Sequence, residues 1–168
     1  QPLRSMYCWQ RLLKLRPEDL KAKERLAGIY KAQGADDEAI RMYEELNHPE
    51  AWRNVAFLRL RRADELARGK GDKGAAQAER AKALEAYRRI LALDPKEIPS
   101  RLALSALFQE SGQEEDRKQA LALYREVLKI DEKNVRARLN LANLYSQTNR
   151  LAQAQDEYLE ILKGPPGH

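Results

Sequence analysis

Two histidines, one cysteine and a glycine–lysine run are the parts of this chain with the means to do chemistry. His48 sits in a short Asn47-His48-Pro49 turn, and His168 is the last residue. Neither has cysteine, histidine or carboxylate neighbours at metal-ligand spacing. Cys8 lies in an apolar helical stretch and would be a nucleophile only if a base reached it in space; one thiol makes neither an internal disulfide nor a thiolate metal site. Gly69–Gly74, GKGDKG, has the composition of a phosphate loop but lacks GxxxxGK[ST], and no strand precedes it. It reads as a hairpin tip. The carboxylates lie on exposed faces or beside lysine and arginine at helical spacing, as surface pairs do. No catalytic constellation emerges, and the expectation is a non-enzyme with no cofactor and no metal.

The elements that carry these residues are helical. Val135 to Pro166 reads as two short amphipathic helices joined by a tight turn. Leu141, Ala142 and Tyr145 share one face of the first; Ala154, Tyr158 and Ile161 share one face of the second, which closes on Gly164 and proline. Large and small residues at i, i+3, i+4 and i+7 let two antiparallel helices pack closely. The pair Ala154/Tyr158 recurs upstream as Ala120/Tyr124, Ala83/Tyr87, Ala39/Tyr43 and, more weakly, Ser5/Trp9. The spacings from the N-terminus onward are 34, 44, 37 and 34 residues, a period that signals a stacked helical array.

These anchors resemble the tetratricopeptide repeat (TPR) family, whose unit is a helix–turn–helix pair of 34 residues. The resemblance implies an all-α, right-handed α-solenoid of about four and a half repeats. Its expected divisions are a half repeat at 4–17 and full repeats at 18–49, 50–97, 98–133 and 134–166. The half repeat lacks a first helix to cover the Trp9/Leu12/Leu13 face, and no polar helix follows to cover Leu151, Leu159 and Leu162. Solenoids need such caps for solubility, so a piece of a longer chain is expected.

The first full repeat has helices near 18–33 and 36–47. Gly34 supplies the left-handed turn between them, and Asp36-Asp37-Glu38 place negative charge at a helix start, where the dipole favours it. The second is irregular. Val55 to Ala83 spans 28 residues, against 13 from Leu26 to Ala39. The 15 extra residues predict helices near 50–68 and 75–93 that project beyond the stack, with Ala63, Leu66 and Ala67 facing Ala75, Ala78 and Ala81. Arg59 stands where the other repeats have Tyr30, Phe108 or Tyr145. In the third repeat, a three-residue insertion between Gln113 and Lys118 predicts a longer, polar turn.

Composition bounds the partners. Net charge is +5, and 34% of residues are charged. Residues 1–50 hold 9 basic and 9 acidic side chains, 51–100 hold 12 and 7, and 101–168 hold 10 and 10, so the excess sits in the second full repeat. That places an acidic partner or a solvated arginine-rich surface there. No apolar run approaches a membrane span, and no signal-peptide pattern opens the sequence.

In the resembled family the first helix of each repeat lines a concave groove that takes peptides or protein segments. Carried over by position, that groove is Lys21, Glu24, Gly28 and Lys31; Arg53, Asn54, Phe57 and Arg61; Leu102, Ala106 and Gln109; and Arg136, Leu139, Asn140, Asn143 and Gln147. Phe57, Leu102 and Leu139 would face outward, Asn140 and Asn143 suit a peptide backbone, and Arg53, Arg61 and Arg136 suit acidic side chains. The carboxylate clamp of chaperone-tail adaptors is not matched: Glu24 and Gly28 stand at its lysine and asparagine positions, and only Asn143 fits. The expected function is a non-catalytic interaction scaffold or adaptor, part of a larger assembly or of a secretion or biogenesis protein. RNA or acidic-partner binding through the basic repeat, and self-association through the open ends, are the alternatives. Nucleic acid is disfavoured because aromatics are not interleaved along a basic face. Cytoplasmic placement is expected by default, with the bacterial periplasm or a membrane-associated location through a missing segment as the alternative.

Overall fold

The computed structural model describes residues 2–69 and 72–164, with side chains from residue 5. Among the described residues there are nine α-helices and no strand. They form two compact units. Gln1–Asp94 holds α1 (Pro2–Leu15), α2 (Leu20–Gln33), α3 (Asp36–Leu46), α4 (Pro49–Arg68) and α5 (Lys73–Leu93). Pro95–His168 holds α6 (Ile98–Glu110), α7 (Glu114–Ile130), α8 (Val135–Gln147) and α9 (Leu151–Leu162). In each unit, helices packed together are consecutive along the chain, as in a helical array. No described helix is long and apolar enough to cross a membrane.

Local chemistry sets the helix ends. Asp19 Oδ1 accepts the Ala22 N–H at 2.9 Å, Asp72 Oδ1 that of Ala75 at 2.9 Å, and Asn134 Oδ1 that of Ala137 at 3.0 Å. Each satisfies a first-turn donor that the helix leaves without a partner. His48 does the same for α4: its Nδ1 accepts the Ala51 N–H at 3.2 Å, and Pro49 follows at the first helical position. This histidine serves its own helix as a cap. Gly34 adopts φ 75°, and Ala35 N–H then bonds back to the Tyr30 carbonyl at 2.9 Å.

The Ala/Tyr anchors form the interior. Ala39, Ala83, Ala120 and Ala154 are buried, as are Tyr43, Tyr87 and Tyr124. They pack against Leu26, Val55 and Leu141 from the first helices, which are also buried. A fully buried leucine or valine contributes about 2 kcal/mol, and alanine at the partner position lets the backbones approach.

The second repeat is elongated as its spacing predicts: α4 has 20 residues and α5 has 21, against 14 and 11 in α2 and α3. Its inward register differs from expectation. Ala67, Ala78 and Ala81 are exposed; the buried residues are Ala63 on α4 and the stripe of Ala76, Glu79 and Ala83 on α5. Counting back from Ala83 by four and seven residues gives this stripe, whereas the expected one followed alanine content. The insertion in the third repeat also goes elsewhere than the turn. Residues 111–113 alone join α6 to α7, and the extra length makes α7 17 residues long. Glu114, Glu115 and Asp116 fall in its first turn, where negative charge is favoured. On α1, Trp9, Leu12 and Leu13 are half-buried, and the exposed apolar groups are Tyr7 and Leu15.

Neighbouring repeats are stitched by one recurring bond. Gln10 Nε2 donates to the Tyr30 hydroxyl at 2.9 Å, and Arg125 Nη2 to the Tyr145 hydroxyl at 2.7 Å. In each case the residue after the second-helix aromatic anchor reaches a tyrosine on the next first helix. At the corresponding place in α3 and α4, Glu44 faces Arg59 at 3.5 Å.

Candidate interaction surfaces

In the first unit the surface is built on α2 and α4. Asn54, Phe57 and Arg61 fall at i, i+3 and i+7 and therefore share one face of α4. Lys31, in the last turn of α2, reaches across: its Nζ donates to Asn54 Oδ1 at 2.6 Å and stands 5.2 Å from the centroid of the Phe57 ring. The Arg61 guanidinium lies 5.9 Å from the same ring. Phe57 is 51% exposed, so a large aromatic face remains in water between two cations. Both cations are held in place. Asn54 also donates to the Glu50 carbonyl at 3.1 Å, and Arg61 Nε donates to Asp36 Oδ2 at 3.2 Å.

Asp36 is the member of this cluster that sequence reasoning misses. It starts α3, 25 residues before Arg61, and its place in the sequence marks it only as a dipole partner for its own helix. Asp37 likewise receives Arg62. The remaining first-unit residues lie apart from Phe57: Lys21, Glu24 and Gly28 line a cleft of about 860 Å³ beside α1, together with Trp9, Arg25 and Ile29. Arg53 is exposed on α4.

The second unit presents a largely uncharged surface on α6 and α8, with Arg136 exposed in the first turn of α8. The Tyr124 hydroxyl donates to Gln109 Oε1 at 3.1 Å, and Gln109 Nε2 donates to Gln147 Oε1 at 3.3 Å. Burial pushes the Tyr124 phenol up to about 12, against the opposing influence of Arg136 and a hydrogen bond with Asn140. Tyr158 donates to Asn143 Oδ1 at 2.8 Å, so Asn143 keeps its amide N–H groups for other partners. Leu139 is exposed. Leu102 is not: it is only 7% exposed and belongs to the interior. The expectation of an outward Leu102 assumed a narrow buried stripe, but α6 buries a broad arc containing Ser100, Arg101, Leu102, Leu104, Ser105 and Phe108. Arg101 is held there by Glu126 at 3.0 Å and the Pro95 carbonyl at 2.8 Å. Among the described residues, no group of three or more His, Cys, Asp or Glu could hold a metal ion.

Family models described as tetratricopeptide repeat match residues 113–167 and residues 24–48. The chain carries tetratricopeptide repeats. Solved structures agree on the TPR fold at low identity. A crystal structure of MamA shares 15% identity with a TM-score of 0.69, covering 94% of this chain and 85% of that one. TTC0263, a thermophilic TPR protein of Thermus thermophilus, shares 20% identity with a TM-score of 0.61, covering 96% and 81%. YrrB, described as a TPR protein with an unusual peptide-binding site, shares 16% identity with a TM-score of 0.65, covering 99% and 79%. No curated protein sequence matches the chain.

Proposed function

We propose that this TPR chain is a non-catalytic interaction scaffold that binds a peptide or protein segment on its first helices. The observation that carries the reading is Phe57, half exposed between Lys31 and Arg61. An exposed aromatic ring loses water-facing surface when a ligand covers it, and Lys31 beside it, which donates to the neutral Asn54 amide, favours a carboxylate nearby. The ligand class is therefore a segment with an apolar side chain next to an acidic one. In the second unit, α8 carries a surface of its own, where Asn140, Asn143 and the exposed Leu139 suit a peptide backbone and an apolar side chain. The peptide-binding description of YrrB supports the same class.

The basic second repeat does not favour RNA. Arg59, Arg61, Arg62 and Arg80 face Glu79, Asp36, Asp37 and Asp64, so much of its positive charge is met within the unit. A phosphate backbone needs cations clustered toward the ligand.

The test is capture of partners by the chain and by an Arg53→Ala/Phe57→Ala/Asn143→Ala variant whose circular dichroism is unchanged. A protein partner lost from the variant, with an apolar–acidic segment as its minimal binding peptide, is the expected result. Partners kept by the folded variant, or RNA recovered by both, would overturn the reading.

A further inference from the structure

Two clefts stand at equivalent places in successive repeats of the first unit. One, of about 660 Å³, is lined by α1, α2 and α3; the other, of about 560 Å³, is lined by α3, α4 and α5. Their residues correspond. Gln10 and Leu13 are followed 34 positions on by Glu44 and Asn47, Leu26 and Tyr30 are followed 29 on by Val55 and Arg59, and Met42 is followed 44 on by Ala86. The second cleft lies among internal helices and is open as well, so a cleft of this kind belongs to the repeat packing itself.

The two clefts differ in charge. In the second, Arg59 and Lys82 both hold Glu79, at 3.0 and 2.8 Å, and Arg89 stands 3.6 Å from Glu85. In the first, no carboxylate contributes to the lining. Glu38, at the place of Lys82, is paired with Arg41 at 3.4 Å and does not line it. Two cations do. Arg11 donates to the Tyr7 hydroxyl at 3.3 Å, and neither Arg11 nor Lys14 pairs with a carboxylate among the described residues. Tyr7, Arg11 and Lys14 fall at i, i+4 and i+7 and share one exposed face of α1. Leu13, Leu26 and Met42 supply the apolar part of the cleft.

We propose that this cleft is a second docking site, for a protein segment that seats an apolar side chain between α1 and α3 and sets carboxylates on Arg11 and Lys14. The apolar side chain leaves water against Leu26 and Met42. The cations attract carboxylates strongly because no existing ion pair has to break first. A small ligand needs a cavity that encloses most of its surface, whereas this cleft is open to solvent and suits a side chain presented from a larger partner. The site shares no residue with the Phe57 surface, so the chain can hold two segments at once.

Selection from a random peptide library on a full-length Lys31→Ala/Phe57→Ala chain tests this site apart from the Phe57 surface. The peptides recovered should carry an apolar residue flanked by aspartate or glutamate, and added salt should weaken their binding. The chain's two methionines, Met6 and Met42, give a readout inside the cleft. With isotope-labelled methyl groups, the Met42 signal should shift when a selected peptide is added, and that of Met6, which does not line the cleft, should stay in place. Adding Arg11→Glu/Lys14→Glu, with helical dichroism unchanged, should lower the peptide's affinity about tenfold or more. The reversed chain should instead bind the same peptide with its acids changed to lysine. Recovery of no acidic–apolar peptide, a Met42 signal that stays still at saturation, or affinity unaltered by the charge reversal would each overturn the proposal.

Discussion

Arg59 Nη1 donates to Glu79 Oε2 at 3.0 Å in the interior of the first unit, and both side chains are largely buried. Glu79 is also held by Lys82 Nζ at 2.8 Å, and Arg59 leans toward Glu44 at 3.5 Å. One arginine therefore joins α3, α4 and α5. It takes the place that Tyr30 and Tyr145 occupy in α2 and α8, where a hydroxyl receives a bond from the preceding repeat. The substitution follows from the elongated hairpin, because the lengthened α5 carries Glu79 one turn before Ala83 and sets a carboxylate opposite α4.

Removing one partner leaves the other charge buried, which costs about 3 kcal/mol. Arg59→Ala and Glu79→Ala should each destabilise the fold by that order in urea denaturation. An Arg59→Met/Glu79→Leu chain should recover most of the loss. If the two single losses simply add in a double-mutant cycle, the residues are not acting as a pair.

Acid should weaken the same contact. Burial opposes ionisation of Glu79, but hydrogen bonds from Lys82 and Arg59 and their charges outweigh it, holding its pKa below the ordinary value. The folded state then binds fewer protons than the unfolded one through the acid range. The contribution is full above the ordinary carboxylate range and is lost as pH falls through the folded value. Glu79→Gln should flatten the acid limb of a plot of stability against pH; an unaltered limb would assign acid sensitivity to other carboxylates.

Alkali acts through Tyr124. Its phenol is pushed up to about 12 by burial, against an ordinary value of 10.0. Across that window the folded chain holds a proton that the unfolded chain has released, so stability is full below the ordinary value and declines as pH rises toward 12. Spectrophotometric titration should show tyrosinates forming late, since burial also raises the Tyr43 phenol, and Tyr124→Phe should remove one of them. The same variant loses the bond to Gln109 and should cost about 1 kcal/mol at neutral pH.

Two glycines should respond with opposite signs. Gly28 lies within α2, and a Cβ there would meet the Tyr43 hydroxyl at 3.9 Å, an ordinary contact. Gly28→Ala should stabilise the chain by about 0.5 kcal/mol or slightly more. Gly34 sits at φ 75°, and Gly34→Ala should destabilise by about 1 kcal/mol. Thermal melts of the two variants should move to either side of the parent.

The recurrence of alanine and tyrosine four residues apart was enough to read the helix pairs, the elongated second repeat and the turn at Gly34. These features depend on local periodicity and backbone preference, which a single sequence carries. It was also enough to bring Asn54, Phe57 and Arg61 onto one face, since they share a helix. What needed the tertiary structure was every pairing between helices. Asp36 beneath Arg61, Glu79 against Arg59 and the half-buried state of Trp9 depend on how neighbouring helices rotate and slide against one another. Leu102 shows the limit most plainly. Its own helix permits it to face either way, and the width of the arc that its surroundings cover decides that it is buried. Periodicity sets the order of residues around one helix axis; the contact between two axes is set by the side chains of both, and only folding brings those together.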